Sequence, residues 1–308
     1  MGRRRQGEPI NGWLVIDKPS GMTSTQVVSA VRRSIGAAKA GHGGTLDPLA
    51  TGLLPVALGE ATKTVSYVMD GRKRYRFTVR WGEARSTDDA EGEVVAVSDR
   101  RPDAAAIHAA LPAFIGLIDQ VPPDFSAIKV AGARAYDLAR EGETVALASR
   151  KAQIDSFELV EQTDADHAVF EVTSGKGVYM RSLARDLARA LGTVGHIAQL
   201  RRTSVGPFRE AHAISLETLA SLGHSAAASE HLMAVSTALD DIPALALTAD
   251  EANRLRCGQP VGLLRRSDLE RIGNLESGAV VCATCSGRPV ALARFEAGEL
   301  RPLRVLNL

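Results

Sequence analysis

A single carboxylate stands in an unusual setting. The run Ala40-Gly41-His42-Gly43-Gly44-Thr45-Leu46-Asp47-Pro48-Leu49-Ala50-Thr51-Gly52 surrounds Asp47 with glycines and offers no other acid. Glycine permits backbone angles and close approaches that a side chain forbids, so such a loop can bring its backbone and His42 against a ligand. An aspartate there suits two roles. It can act as a fixed negative charge, as nucleophile or base. It can also cap a helix, because Asp accepts orphan amide hydrogen bonds and Pro48 lacks the N–H that would be orphaned at the first helical position. Leu53, Leu54, Val56, Ala57 and Leu58 follow in an apolar pattern that reads as helical, so the local pattern taken alone favours the cap.

Three further stretches carry groups suited to a site. Lys73–Trp81 alternates with period two, placing Tyr75, Phe77, Val79 and Trp81 on one face and Arg74, Arg76, Thr78 and Arg80 on the other. This is the clearest strand in the chain. Tyr75 sits at its start, where a ring can close over a pocket as readily as fill a core. Gly175-Lys176-Gly177 precedes a helix predicted over 178–191, with Met180, Leu183, Leu187 and Leu191 as its buried stripe. Arg181, Arg185 and Arg189 share another face of it. Either this is an exposed helix face partly paired to Asp186, or Arg185 and Arg189 make phosphate contacts and Arg181, at the helix start, points towards the pocket. The acidic turn Thr87–Gly92 reads as a solvated face and receives no chemistry.

The elements that position these groups follow from the same pattern. WLVID at 13–17 is a buried strand, Lys18-Pro19-Ser20-Gly21 the turn ending it, and Thr23 or Ser24 the cap of a helix whose core face is Val27, Val31 and Ile35. A strand over 93–97 and a helix over 103–115 come next. Val121-Pro122-Pro123-Asp124-Phe125-Ser126 is rigid and extended. It opens an excursion through Lys129, Arg134 and Arg140 over 124–149, either a basic gripping arm or a plain surface excursion. Strands over 152–160 and 168–174 precede the arginine helix. From Ile242 the texture changes. Thr248 and Glu251 form a capping box, Gly258 is a helix stop, and three short strands follow at 279–285, 289–295 and 302–306.

Composition excludes several classes. Charged residues make up 24% and hydrophobic ones 45%, and no apolar stretch reaches the length of a membrane span. The basic N-terminus lacks the apolar segment of a signal peptide, so the cytoplasm is expected. A net charge of +1 excludes a uniformly basic nucleic-acid binder and leaves local clusters. Cys282 and Cys285 form a lone CxxC on a strand pattern that turns them to opposite faces, which argues for structural cysteines over a metal site. Neither a P-loop nor a dinucleotide fingerprint occurs, and no cofactor is expected.

GHGGTLDPLATGLLPVALGEATK at 41–63 resembles the signature of the bacterial tRNA pseudouridine synthase B (TruB) family. WLVIDKPSGMTS at 13–24, KRYRF at 73–77, QVPPDFSAIKVAG at 120–132, GKGVYMRSLARDLARALG at 175–192 and LRRTSVGPF at 200–208 extend the resemblance over most of the chain. The resemblance implies an α+β fold: a mixed, largely antiparallel sheet flanked by helices in a catalytic domain over 1–241, and a small β-rich PUA-like RNA-binding domain over 242–308. It implies conversion of a T-loop uridine of tRNA, position 55, to pseudouridine after the base is flipped. Asp47 would be the nucleophile, Tyr75 the ring packed on the base and active in proton transfer, and Arg181 the partner of Asp47. Tyr179 and Leu200 would line the base pocket, His42 would insert among the T-loop bases, and Lys18, in the first motif, would be a substrate-side residue, more structural than catalytic. Whether Asp47 attacks C1′, attacks the ring or removes the 2′ proton stays open. The expected partner is the tRNA T-stem-loop, with no membrane, no protein partner and a monomeric protein. Two other classes fit the residues less well. A non-catalytic RNA-binding module does not explain the joint presence of Asp47, Tyr75, Tyr179 and Arg181. An Asp-nucleophile hydrolase lacks a second acid/base group.

Overall fold

The computed structural model describes residues 7–126, 129–130, 133–134, 147–223, 230–263, 266–273 and 275–308. Its centre is a ten-stranded sheet. Eight strands run in the order Ala213–Ser215, Gly12–Lys18, Thr51–Leu58, Gly195–Val205, Lys73–Trp81, His167–Ser174, Arg150–Gln162 and Gly116–Gln120. Ala40–His42 pairs with Thr51–Leu58, and Phe208–Arg209 with Gly195–Val205. Two pairings are parallel, Gly12–Lys18 with Ala213–Ser215 and Thr51–Leu58 with Gly195–Val205. The others are antiparallel. The architecture is therefore the expected α+β fold with a mixed, largely antiparallel sheet.

The alternation in Lys73–Trp81 is realised as read: Phe77, Val79 and Trp81 are buried. They meet Phe157, Phe170, Val172 and the helix Met180–Ala190 in one core. That helix buries Met180, Leu183 and Leu187, with Leu191 closing it. On the other half of the sheet, Val27, Val31 and Ile35 of the helix Ser24–Ser34 pack on Leu14, Ile16, Leu54 and Val56. Thr23 caps this helix in a full capping box with Gln26. The predicted 103–115 helix is shorter, Ala104–Ala110, and ends in the 3-10 turn Leu111–Phe114. Of the expected arm, most lies outside the described residues.

One element departs from expectation. Residues 51–58 form a strand, not a helix, and Asp47 caps no helix; its carbonyl accepts from Ala50 N–H in a turn. The strand lies in the sheet interior and Gly52–Leu58 is buried throughout. A strand covered on both faces reads as a continuous apolar run, whose period does not separate it from a buried helix. Pro55, in its middle, is the residue that speaks against a helix interior.

Residues from 244 onward build a second sheet of five strands: Ala244–Ala246, Val280–Cys285, Arg288–Glu296, Glu299–Val305 and Val261–Gly262. Thr248 and Glu251 form the expected capping box, and Gly258 follows the helix with φ +76°. Ser286 and Gly287 both have positive φ, the conformation of a tight hairpin turn. Cys282 and Cys285 do face apart. Cys282 joins Leu292 and Leu306 in a core shared with Trp13, Phe208, Val235 and Leu239 of the large sheet's side, while Cys285 packs on the small sheet's own core.

Candidate active site

The Asp47 loop is held mainly by its backbone. Leu46 N–H donates to Ser24 Oγ at 2.9 Å, and Ser24 Oγ donates back to Leu46 O at 3.1 Å. Lys18 Nζ donates to Pro48 O at 3.0 Å and Gly21 N–H donates to the same carbonyl at 2.9 Å. Ser20 Oγ donates to Leu49 O. From the opposite side Arg202 donates to Gly44 O at 3.0 Å, Thr45 O at 3.2 Å and Leu53 O at 2.8 Å. A buried carbonyl left without such a partner costs about 1–3 kcal/mol, so these clamps give the loop one conformation. Gly52 is required here. Its φ is +96°, and a Cβ would lie 2.2 Å from Arg202 O.

On this fixed loop Asp47 keeps 36% of its side chain exposed and accepts a hydrogen bond from Arg181 Nε at 2.9 Å. Arg181 is buried at the first turn of Met180–Ala190. Its other nitrogens donate to Thr87 O and Phe125 O, each at 2.9 Å. Asp89, also buried, places Oδ2 3.7 Å from Arg181 Nε. The guanidinium thus lies between two carboxylates with its fork fixed by two carbonyls, which makes its orientation independent of any ligand.

The remaining expected residues surround this pair unequally. Tyr75 is half-buried at the rim of the core and neighbours Arg202 across the ladder, where the two side chains interact. Leu200 is buried opposite Phe77 on the same face. Tyr179 is half-buried immediately before the helix; burial is the main cause raising its phenol's pKa. His42 ends the short strand Ala40–His42, and its buried Nδ1 has no partner among the described residues. Burial, then the charge of Arg202, lowers the His42 pKa and favours the neutral ring. Lys18 is fully buried and bonds Pro19 O, Met22 O and Pro48 O. Its ammonium braces the loop from behind. Burial pushes its pKa down to about 8, against the attraction of Asp47 and Glu91.

Two expectations about charge are corrected. The Thr87–Gly92 turn is no solvated face: Thr87 O and Asp89 hold Arg181, and Asp88 bonds Arg185 Nη1 at 2.8 Å. Arg185 is not a free phosphate ligand. It is committed to Asp88, Asp186 and Val121 O. Arg189 remains largely exposed, with 69% of its side chain accessible. Arg202 went unassigned in the sequence, where its place inside LRRT gave no sign of complete burial. A cationic side chain two residues beyond a pocket leucine on one strand face was the available signal.

No group of three or more potential metal ligands occurs among the described residues. No described helix is long and apolar enough to cross a membrane. A cleft of about 650 Å³ lined by Arg76, Thr78, Gln199 and Arg201 also reaches Leu200 and, beside the Asp47 loop, Ser20 and Leu49.

The fold belongs to a known class. The chain superposes on a chain of an H/ACA RNP bound to a substrate RNA containing 2′-deoxyuridine with TM-score 0.74 at 21% identity, covering 100% of this chain and 92% of that one. A chain of a Cbf5-Nop10-Gar1 complex gives TM-score 0.73 at 24% identity, with 96% and 84% covered. The family is set by sequence. Residues 32–180 match the TruB family pseudouridylate synthase N-terminal domain, and residues 181–242 the tRNA pseudouridylate synthase B C-terminal domain. Proteins named tRNA pseudouridine synthase B are 58% identical in Rhodospirillum rubrum, over 100% of both chains, and 60% identical in Gluconacetobacter diazotrophicus, over 99% of this chain and 100% of that one. This chain belongs to the TruB family of pseudouridylate synthases.

Proposed function

We propose that the protein isomerises uridine 55 in the T-loop of tRNA to pseudouridine, with Asp47 as nucleophile acting on a flipped base. The observation that carries this reading is the 2.9 Å pair between Asp47 and buried Arg181 on a loop whose backbone is locked. The tRNA specificity rests on the names of relatives that are similar over their full length.

Isomerisation breaks the C1′–N1 bond, turns the uracil, joins C5 to C1′ and moves the C5 proton, with no net redox change and no group supplied from outside. Side chains suffice for it. A uridine must leave its stack before a protein atom reaches C1′. His42, neutral and with an unpartnered ring nitrogen, is suited to take the vacated place among the T-loop bases. Tyr75 packs on the base and assists proton transfer, and Tyr179 and Leu200 complete the pocket. Lys18 acts on the substrate only through the loop it braces. Asp47 retains three possible first steps: attack at C1′, attack on the ring, or removal of the 2′ proton. Residues 1–241 form the catalytic domain in this reading, and 242–308 a PUA-like RNA-binding domain. The protein works as a cytoplasmic monomer without a protein partner.

Tritium release from a T-loop hairpin carrying C5-labelled uridine tests the reading. Release equivalent to one uridine per hairpin is expected. Tight binding without release would make the protein an RNA-binding module instead.

A further inference from the structure

Gln120 belongs to a motif that carried the family resemblance but had no assigned part in the reaction. It is the last residue of the edge strand Gly116–Gln120, and its side chain is buried. Its amide faces the main chain of Tyr179: Tyr179 N–H donates to Gln120 Oε1 at 2.8 Å, and Gln120 Nε2 donates to Tyr179 O at 3.1 Å. Tyr179 O also accepts the first bond of the helix from Leu183 N–H at 3.1 Å, so the Gln120 side chain satisfies the N–H and adds a second donor to the carbonyl of a residue that no strand pairs. Tyr179 sits extended, with φ −100° and ψ 113°, at the N-cap position of Met180–Ala190, and its own side chain makes no capping bond.

The residues after Gln120 continue the same support. Val121 O accepts from Ser182 Oγ at 2.8 Å and from Arg185 Nη2 at 2.9 Å, and Phe125 O accepts from Arg181 Nη2 at 2.9 Å. Pro122 and Pro123 stiffen the connection between these carbonyls. The first turn of the helix is therefore seated on 120–125. Within that seat Gln120 acts through its side chain where Val121 and Phe125 offer carbonyls, and it grips the residue immediately before the buried Met180 and Arg181.

We propose that Gln120 is a positioning residue for the isomerisation: its amide fixes the Tyr179 main chain, which sets both the Tyr179 ring in the base pocket and the Arg181 guanidinium against Asp47. The inference rests on the proposed function. A shift of about 1 Å in a catalytic group lowers a rate by as much as about 100-fold. Loss of the clamp therefore acts on the chemical step and leaves RNA contacts outside the pocket in place. Gln120→Met keeps length and removes both hydrogen bonds. Gln120→Glu keeps the acceptor for Tyr179 N–H and sets an oxygen against Tyr179 O.

The test is single-turnover pseudouridine formation at saturating T-loop hairpin, with hairpin affinity and thermal unfolding measured on the same full-length proteins. Gln120→Met is expected to lower the rate constant about 10- to 100-fold, Gln120→Glu less, and both to bind within about twofold of wild type. In an Arg181→Lys background the Met substitution is expected to cost less than about threefold, since the group it positions is already displaced. A wild-type rate constant in either folded Gln120 variant overturns the inference, as does an undiminished loss in the Arg181→Lys background. If Gln120→Met does not fold, Gln120→Glu decides by the same comparison. Absence of product from the wild-type protein would instead overturn the proposed function itself.

Discussion

Replacing Asp47 with Asn separates position from charge. The amide keeps an oxygen that can accept from Arg181 Nε, and Arg181 keeps its bonds to Thr87 O and Phe125 O and its proximity to Asp89. A charge-assisted hydrogen bond contributes about 1.5–3 kcal/mol and a neutral one about 0.5–1.5. With a third of the Asp47 side chain in solvent, the difference shrinks to about 1 kcal/mol. In a protein of 308 residues that lowers Tm by about 1–2 °C. Asp47 caps no helix, so no secondary structure depends on it. The effect on turnover should be of another order. An amide supplies neither the nucleophilic charge nor a base, and a loss of at least about 10⁴-fold, about 5.5 kcal/mol in the barrier, is expected. Thermal unfolding, hairpin affinity and C5 tritium release on one preparation give the three quantities together. Turnover within about tenfold of wild type in a folded Asn variant would refute the assignment of Asp47.

For Tyr75, Phe keeps the ring and removes the hydroxyl, and Leu removes both; if the hydroxyl serves proton transfer, Phe should turn over almost as slowly as Leu while binding the hairpin. Near-normal turnover by Phe would leave Tyr75 a stacking surface only. Deleting 242–308 should not give a clean loss of RNA affinity, because Trp13, Phe208, Val235 and Leu239 would lose the cover of Cys282, Leu292 and Leu306. A truncated protein with lowered Tm and exposed apolar surface is expected; wild-type Tm and single-turnover rate in 1–241 would contradict it. Lys18 makes stability depend on pH. Below pH 8 it is charged in both states and burial opposes folding. Between pH 8 and 10.5 the unfolded chain holds the proton that the folded protein releases, so its contribution rises with pH by up to about 3 kcal/mol. Denaturant unfolding at pH 7.5, 9 and 10 should show wild type gaining on Lys18→Met across that window, and a constant difference would refute it.

Much of the fold was legible because its period was unambiguous. Lys73–Trp81 alternates, Val27, Val31 and Ile35 repeat by four, and Thr248 with Glu251 announces a helix start. The run 53–58 misled because burial on both faces erases alternation, and Pro55 was the overlooked sign. In the site, Asp47, Arg181 and Tyr179 were named from motifs, and the structure brings them to the N-terminal end of one helix. Asp89 and Arg202 were not seen. An acidic turn reads as solvated because most are, and only the tertiary fold reveals that Thr87–Gly92 closes over Arg181. The burial of Arg202 depends on the sheet placing it between two backbones, which no local window contains.

The two fully buried cations explain how a loop so rich in glycine holds the Asp47 carboxylate still. Glycine offers no side chain to pack: Val68, Trp13 and Pro55 crowd the Gly43 backbone, but beside Gly44 stands Arg202, so apolar contacts do not fix the whole loop as they fix Leu46. Backbone carbonyls are what such a loop presents, and donors must come to them. Lys18 supplies them from one strand end and Arg202 from another. Both donors are charged, and no carboxylate pairs directly with either among the described residues, so each carries a desolvation penalty that hydrophobic residues of similar volume would avoid. The arrangement gives up stability for a fixed Asp47. Variants that replace either cation by an apolar side chain should therefore displace Asp47 from Arg181 even where the fold survives, because the carbonyls they release belong to the loop that carries Asp47.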